Sequence, residues 1–109
     1  MKFSAGFAVA MVAELIIAPE AAQDFTESYD WYQARRVGLG EEFLNCVDAC
    51  IQGICRMPEM YEVFHENYRR ALVRRFPFAV IYEYGSDIVT VYCVFHTSRD
   101  PDKWRTRLS

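Results

Sequence analysis

Residues 68–96 read YRRALVRR (68–75), FP (76–77), FAVIYEY (78–84), GSD (85–87) and IVTVYCVFH (88–96). Three runs rich in β-branched and aromatic residues, divided by two breaks, predict an antiparallel meander of three strands. In the first run, alternation puts Arg70, Leu72 and Arg74 on one face. Arg69, Ala71, Val73 and Arg75 fall on the other. Phe76-Pro77 breaks that strand, and Gly85-Ser86-Asp87 supplies the second turn. In the third run, Val89, Val91, Cys93 and Phe95 share one face, and Thr90, Tyr92, Val94 and His96 the other. Apolar residues on both faces predict a central strand covered on each side.

Toward the N-terminus, residues 12–18 (VAELIIA) read as a further strand. Pro19 then sits where proline favours a helix start, with Glu20 and Asp24 near the positive end of the dipole. Ala21, Ala22, Phe25, Tyr29 and Tyr32 recur at helical spacing, which predicts an amphipathic helix over 19–35 with Trp31 at its apolar border. Val37-Gly38-Leu39-Gly40 is a tight connection, and its glycines lack phosphate-loop spacing. Glu41 and Glu42 open a second helix, whose inward stripe is Phe43, Val47, Cys50, Ile51 and Ile54 and which stops before Pro58. A loop is expected over 58–67, with His65 as one of its residues. Beyond the meander, Asp100, Pro101 and Asp102 start a short helix carrying Trp104 and Leu108. The result is an α+β fold. An N-terminal strand and a helical hairpin pack on a small, largely antiparallel sheet, and the first strand can run parallel to its partner through the long crossover.

The 109 residues suit one domain, and 52% hydrophobic with 16% aromatic content excludes a disordered chain. The formal charge is −3. It divides unevenly, with −6 over residues 1–64 and +3 over 65–109. A basic second half suits an acidic partner or a phosphate backbone, or is a solvated face. Residues 1–10 read as an extension and 11–109 as the domain, with Met11 a plausible natural start. A secretory reading leaves about five apolar residues before Ala8-Val9-Ala10, short of the roughly 7–15 such signals use. Cys46, Cys50, Cys55 and Cys93 contain no C-x-x-C pair, and two histidines cannot complete a zinc set with them at these spacings. Reduced thiols and a cytoplasmic location are expected, with no metal, no cofactor and no membrane partner.

The order of elements, and the residues at its joints, resemble the RelE/ParE superfamily of bacterial toxins, closer to the ParE-like (plasmid stabilisation) branch. The matching segments are Ala18-Pro19-Glu20-Ala21-Ala22, Tyr29-Asp30-Trp31-Tyr32, Gly38-Leu39-Gly40-Glu41-Glu42-Phe43, residues 69–78 (RRALVRRFPF) and residues 94–101 (VFHTSRDP), followed by Trp104. The resemblance implies the toxin of a type II toxin–antitoxin pair that inhibits growth. Its antitoxin carries a DNA-binding domain and a tail that wraps the toxin, so operator DNA is reached indirectly. Within the superfamily, RelE-like members cleave messenger RNA on the ribosome, and ParE-like members inhibit DNA gyrase. A shared fold does not choose between them.

The residues bear on that choice. Metal-free RNA cleavage needs an activated 2′-hydroxyl, a stabilised phosphate and a proton for the leaving oxygen. Arg70 and Arg74 on one strand face, His96 on a neighbouring strand and Arg99 just beyond it are the candidates. In a ribonuclease, His96 and Arg99 would be catalytic. The RelE-like pattern implies a middle-strand arginine and a terminal tyrosine or histidine. Phe78-Ala79-Val80 stands at the first place, and Trp104, which cannot act as acid or base, near the second. An acidic chain is also poorly suited to ribosomal RNA. The expectation is therefore gyrase inhibition without hydrolytic chemistry. The alternatives are a ribosome-dependent mRNA endoribonuclease and an inactive toxin-like partner in an autoregulatory repressor complex.

Arg69, Arg70, Arg74 and Arg75 are too many to bury unpaired, so they are expected at the surface, facing a partner or nucleic acid. Tyr82, Tyr84 and Tyr92 divide between core and partner contact, and Trp104 joins the contact set. Asp100 and Pro101 are expected to cap and shape the last helix, and His96 has a second reading as a hydrogen-bonded fixture of the strand-to-helix junction.

Overall fold

Backbone punctuation sets the element order. The computed structural model describes residues 12–108; the expected extension 1–10, with Met11 and Ser109, lies outside them. The order is β1 (Glu14–Ile17), α1 (Pro19–Arg35), α2 (Leu39–Arg56), β2 (Glu62–His65), β3 (Tyr68–Leu72), β4 (Phe78–Gly85), β5 (Ile88–His96) and α3 (Lys103–Leu108). Pro19 occupies the first turn of α1 as its ring geometry favours. Gly38 stands before α2 with φ 94°, a left-handed conformation that glycine adopts without a Cβ penalty.

The helical hairpin is clamped by one side chain. Gln33 Oε1 on α1 accepts the backbone N–H groups of Gly38 at 3.2 Å and Gly40 at 3.0 Å, satisfying donors that a helix start leaves free. Gly40 is buried against the Tyr29 ring, and a Cβ there would lie 2.8 Å from Gln33 Oε1 and 2.8 Å from Tyr29 Cδ1.

The sheet order is β1-β5-β4-β3-β2, with β1 parallel to β5 and every other pair antiparallel. The long crossover from β1 through both helices thus leads to a parallel pairing, as the sequence predicts. The segment 58–67 is not all loop. It contains β2, paired with β3 through a turn at Glu66, whose φ is 51°. Four residues give too short an alternation to register as a strand in sequence. Ser86 and Asp87, both with positive φ, form the two-residue turn between β4 and β5.

A second correction concerns β5. Its pairing with β4 shifts between Ile81 and Tyr82, so Tyr92 is an extra residue opposite no partner. Such a bulge reverses the alternation beyond it. Val89, Val91 and Val94 therefore face the helices, whereas Cys93 and Phe95 face the opposite side. Strict alternation had placed Cys93 and Phe95 with Val89.

The helix-side core centres on Tyr32, Phe43, Phe76 and Phe78. The Phe43 and Phe78 rings lie 4.8 Å apart, and Tyr32 lies 5.3 Å from Phe43 and 5.0 Å from Phe76. Central β4 is buried on both faces from Phe78 to Tyr82. On the outer face Ala79, Ile81, Cys93 and Phe95 are covered by Phe64, Tyr68, Trp104 and Leu108. Ala22 is exposed rather than part of the stripe of α1, and Asp24 is buried instead. Among the described residues, no helix is long and apolar enough to cross a membrane.

Replacing Gly40 by alanine overfills the hairpin contact. Urea unfolding of Gly40→Ala is expected to show a loss of about 1–3 kcal/mol, and an unchanged stability would mean that Tyr29 and Gln33 move aside freely.

Candidate functional site

Asp24 is the polar centre of the molecule. It is 2% exposed, yet its carboxylate is fully engaged. Val94 N–H donates to Oδ2 at 2.9 Å, Arg107 donates to both oxygens at 2.9 and 3.0 Å, and Lys103 Nζ lies 2.8 Å from Oδ1. Arg107 also donates to the Tyr92 carbonyl at 2.8 Å. These groups occupy the edge of β5 just past the end of β1, where Ala18 N–H makes the final bond, to Val91 O. An ion pair thus continues the ladder that the short strand leaves incomplete. Burial pushes the Asp24 pKa up, but hydrogen bonds from Arg107, Lys103 and Val94, with the Lys103 charge, outweigh it and hold the carboxyl below its ordinary 3.8.

This anchor fixes α3 and the turn before it, where His96 and Arg99 lie. His96 Nδ1 accepts the backbone N–H groups of Ser98 at 3.1 Å and Arg99 at 2.8 Å. The neutral ring therefore carries its proton on Nε2. Its edge packs on Phe78 at 5.1 Å. Burial, then the Arg99 charge, lower the His96 pKa below 6.5, with Asp100 opposing. Arg99 reaches α1, its guanidinium 4.0 Å from the centre of the Trp31 ring. Arg35 lies 3.4 Å from that centre, so two cations share one indole. Asp100 meets α3 through its carbonyl, which accepts Lys103 N–H at 3.2 Å, rather than through a side-chain cap.

The expected arginine cluster is divided among separate tasks. Arg69 donates to the carbonyls of Glu59 at 3.1 Å and Tyr61 at 2.6 Å, holding the approach to β2. Arg70 pairs with Glu62 at 2.9 Å and lies over Phe64 at 4.9 Å, on the outer face. Arg75 pairs with Glu42 at 3.0 Å. Arg74 is exposed and has no ion pair among the described residues. The structure brings His96 and Arg99 to one turn but does not bring Arg70 to them: β3 lies two strands away from β5, and His96 packs on the helix-side residue Phe78.

The aromatic expectations also separate. Tyr82 is wholly buried and donates its hydroxyl to Pro58 O at 2.6 Å, so it cannot meet a partner as expected. Burial drives its pKa upward. Half-buried Tyr92 donates to Glu83 at 3.3 Å and meets Tyr68 edge-on at 5.5 Å. Tyr84 donates to Asp87 at 3.1 Å beside the hairpin turn. Trp104 packs on Phe64 at 4.6 Å and His65 at 5.2 Å. His65 thus joins an outer aromatic patch instead of lying in a loop.

All four cysteines are free thiols, and burial pushes Cys50 and Cys93 up to about 11, leaving both protonated at neutral pH. Among the described residues, no His, Cys, Asp or Glu group is placed to hold a metal ion. Asp24 was missed by hydrophobic patterning. Its signal was the pair Lys103 and Arg107, four apart on a short helix and so on one face.

Residues 15–101 match a family model described as the ParE toxin of the type II toxin–antitoxin system parDE. No curated protein sequence matches. A solved structure described as the chromosomal ParDE TA system from P. aeruginosa has a TM-score of 0.70 at 12% identity, covering 79% of this chain and 97% of that one. At that identity the likeness is one of fold.

Two outcomes are expected. Asp24→Asn leaves Arg107 and Lys103 facing a neutral amide, and chemical denaturation should show a loss of about 3 kcal/mol. Because the folded pKa of Asp24 lies below its unfolded value, its contribution is complete above about pH 4 and declines as pH falls through the folded pKa. Stability measured from pH 5 to 2 should therefore fall less steeply in Asp24→Asn than in the parent.

Proposed function

Since the chain belongs to the ParE toxin family of type II parDE toxin–antitoxin systems, we propose that it arrests growth by binding DNA gyrase, without hydrolytic chemistry, and that a cognate antitoxin neutralises it. The observation that carries this reading is the state of His96. Its Nδ1 is occupied by two backbone donors, which supports a role in shaping the turn that presents Arg99. Arg99 itself lies against Trp31, where its guanidinium is held by an indole face. Arg70, the phosphate-gripping candidate, is on another strand and paired with Glu62. Such an arrangement suits recognition by contact more than proton transfer coupled to phosphate binding.

Antitoxin binding is supported by exposed apolar side chains on the sheet. Leu15 and Ile16 on β1 and Leu72 on β3 are exposed. A partner that covers them removes that area from water.

A gyrase supercoiling assay with the purified chain tests the target. Dose-dependent inhibition with accumulation of linear DNA, reversed by the antitoxin, is the expected result. Absence of inhibition together with ribosome-dependent RNA cleavage would replace this reading with the endoribonuclease. A companion variant tests His96. His96→Ala should lose about 1 kcal/mol of stability through the broken turn and keep its inhibition per folded molecule.

A further inference from the structure

Two arginines far apart in sequence end on one ring. Arg35, in the last turn of α1, lies 3.4 Å from the centre of the Trp31 indole and donates to the Trp31 carbonyl at 3.4 Å. Arg99, from the turn after β5, lies 4.0 Å from the same centre. Its charge also opposes the rise that burial gives the Tyr32 pKa, which places it near that hydroxyl. Both arginines are exposed, and neither has an ion pair among the described residues. Nearby cations are answered: Arg36 pairs with Glu42, and Lys103 with Asp24 and Glu27. An indole face attracts each guanidinium but does not cancel the repulsion between two of them. The pair therefore lacks a counter-charge, which an anion from outside the chain can supply. Because the ring itself seats the Arg99 guanidinium, the pair does not depend on the His96 hydrogen bonds alone.

The surroundings select the anion. Positions 27, 31 and 35 follow one row of α1, so Glu27, its side chain 60% exposed, stands one turn from the ring. Asp30 and Asp100 are chain neighbours of Trp31 and Arg99, and both are exposed. A nucleic-acid backbone carries phosphate after phosphate and would meet these carboxylates as it left the arginines. Single carboxylates on the surface of a folded protein would not. Val37, 85% exposed two residues beyond Arg35, adds an apolar contact at the rim. An aromatic ring with arginines is also the composition of protein interface hot spots. We infer that Trp31, Arg35 and Arg99 form the surface by which the toxin meets its protein target, the two guanidiniums donating to acidic side chains there. This rests on the gyrase reading and names the toxin's side of that contact, distinct from the sheet residues that support antitoxin binding.

The test uses the full chain with the gyrase holoenzyme, in the supercoiling assay and by calorimetry, compared per folded molecule. Arg35→Glu reverses one exposed charge, and Arg99→Gln removes the other. Each is expected to raise the concentration for half inhibition about tenfold and to weaken gyrase binding alike. Arg35→Glu should also flatten the salt dependence of that binding. If the parent inhibits and both variants inhibit within about twofold of it, the surface is overturned while the gyrase reading stands. Unchanged inhibition with weakened antitoxin binding would assign the pair to the antitoxin and overturn the inference as well. So would a loss of affinity for a short DNA duplex that matches the loss of inhibition, since the pair would then contact nucleic acid. If the parent neither binds nor inhibits gyrase, that reading falls and this inference with it. Should Arg99→Gln not fold, Arg35→Glu decides.

Discussion

The buried carboxylate of Asp24 ties α1, β5 and α3 together at one point. It takes an N–H from β5, a guanidinium and an ammonium from α3, and it stands on α1. An ionised group so far from water is tolerable only because every lone-pair direction is answered. Hydrophobic contact alone does not specify where a six-residue helix rests. The ion pair does, by tying Lys103 and Arg107 to one point. The position of α3 then sets the outer face, since Trp104 and Leu108 cover its small core.

The two sheet faces consequently differ in character. One is sealed by a long hairpin and a dense aromatic core. The other is shielded by one short helix and a set of rings, with Arg70 over Phe64 and Arg105 over Trp104 at 4.7 Å. The positive balance of the second half is spread over both. Some of its arginines hold loops, as Arg69 does, and some neutralise nearby acids, as Arg70 and Arg75 do. Net charge by segment was a poor guide to a patch because it ignores these local pairings.

Much of the fold was legible. Pro19, the glycines at 38 and 40 and the Gly85-Ser86-Asp87 turn mark boundaries through backbone physics that neighbours cannot easily override. β2 escaped because a four-residue edge strand carries almost no periodic signal. The reversal in β5 escaped because a bulge depends on pairing across strands, which one strand's alternation cannot reveal. Within the site, His96 and Arg99 lie at one strand-to-helix junction, a closeness their spacing of three in the sequence already implies. The fate of Tyr82 was not legible, since tyrosine suits both a core and an interface. Asp24 was read as a dipole residue near a helix start; its burial follows from where α1 crosses the end of β1, a tertiary fact.

Residues 24 and 107 are joined across a separation of 83 positions. On a ribosome the carboxylate is made early and its guanidinium partner late. Until residue 107 emerges, α1 carries an acid that favours water over its final seat, and the β5 edge beside it lacks its cover. The hairpin can form from local contacts while synthesis continues, but loop closure over so long a segment must wait. The contact that seals the β5 edge is thus among the most non-local in the chain, and it closes after the local contacts of the hairpin.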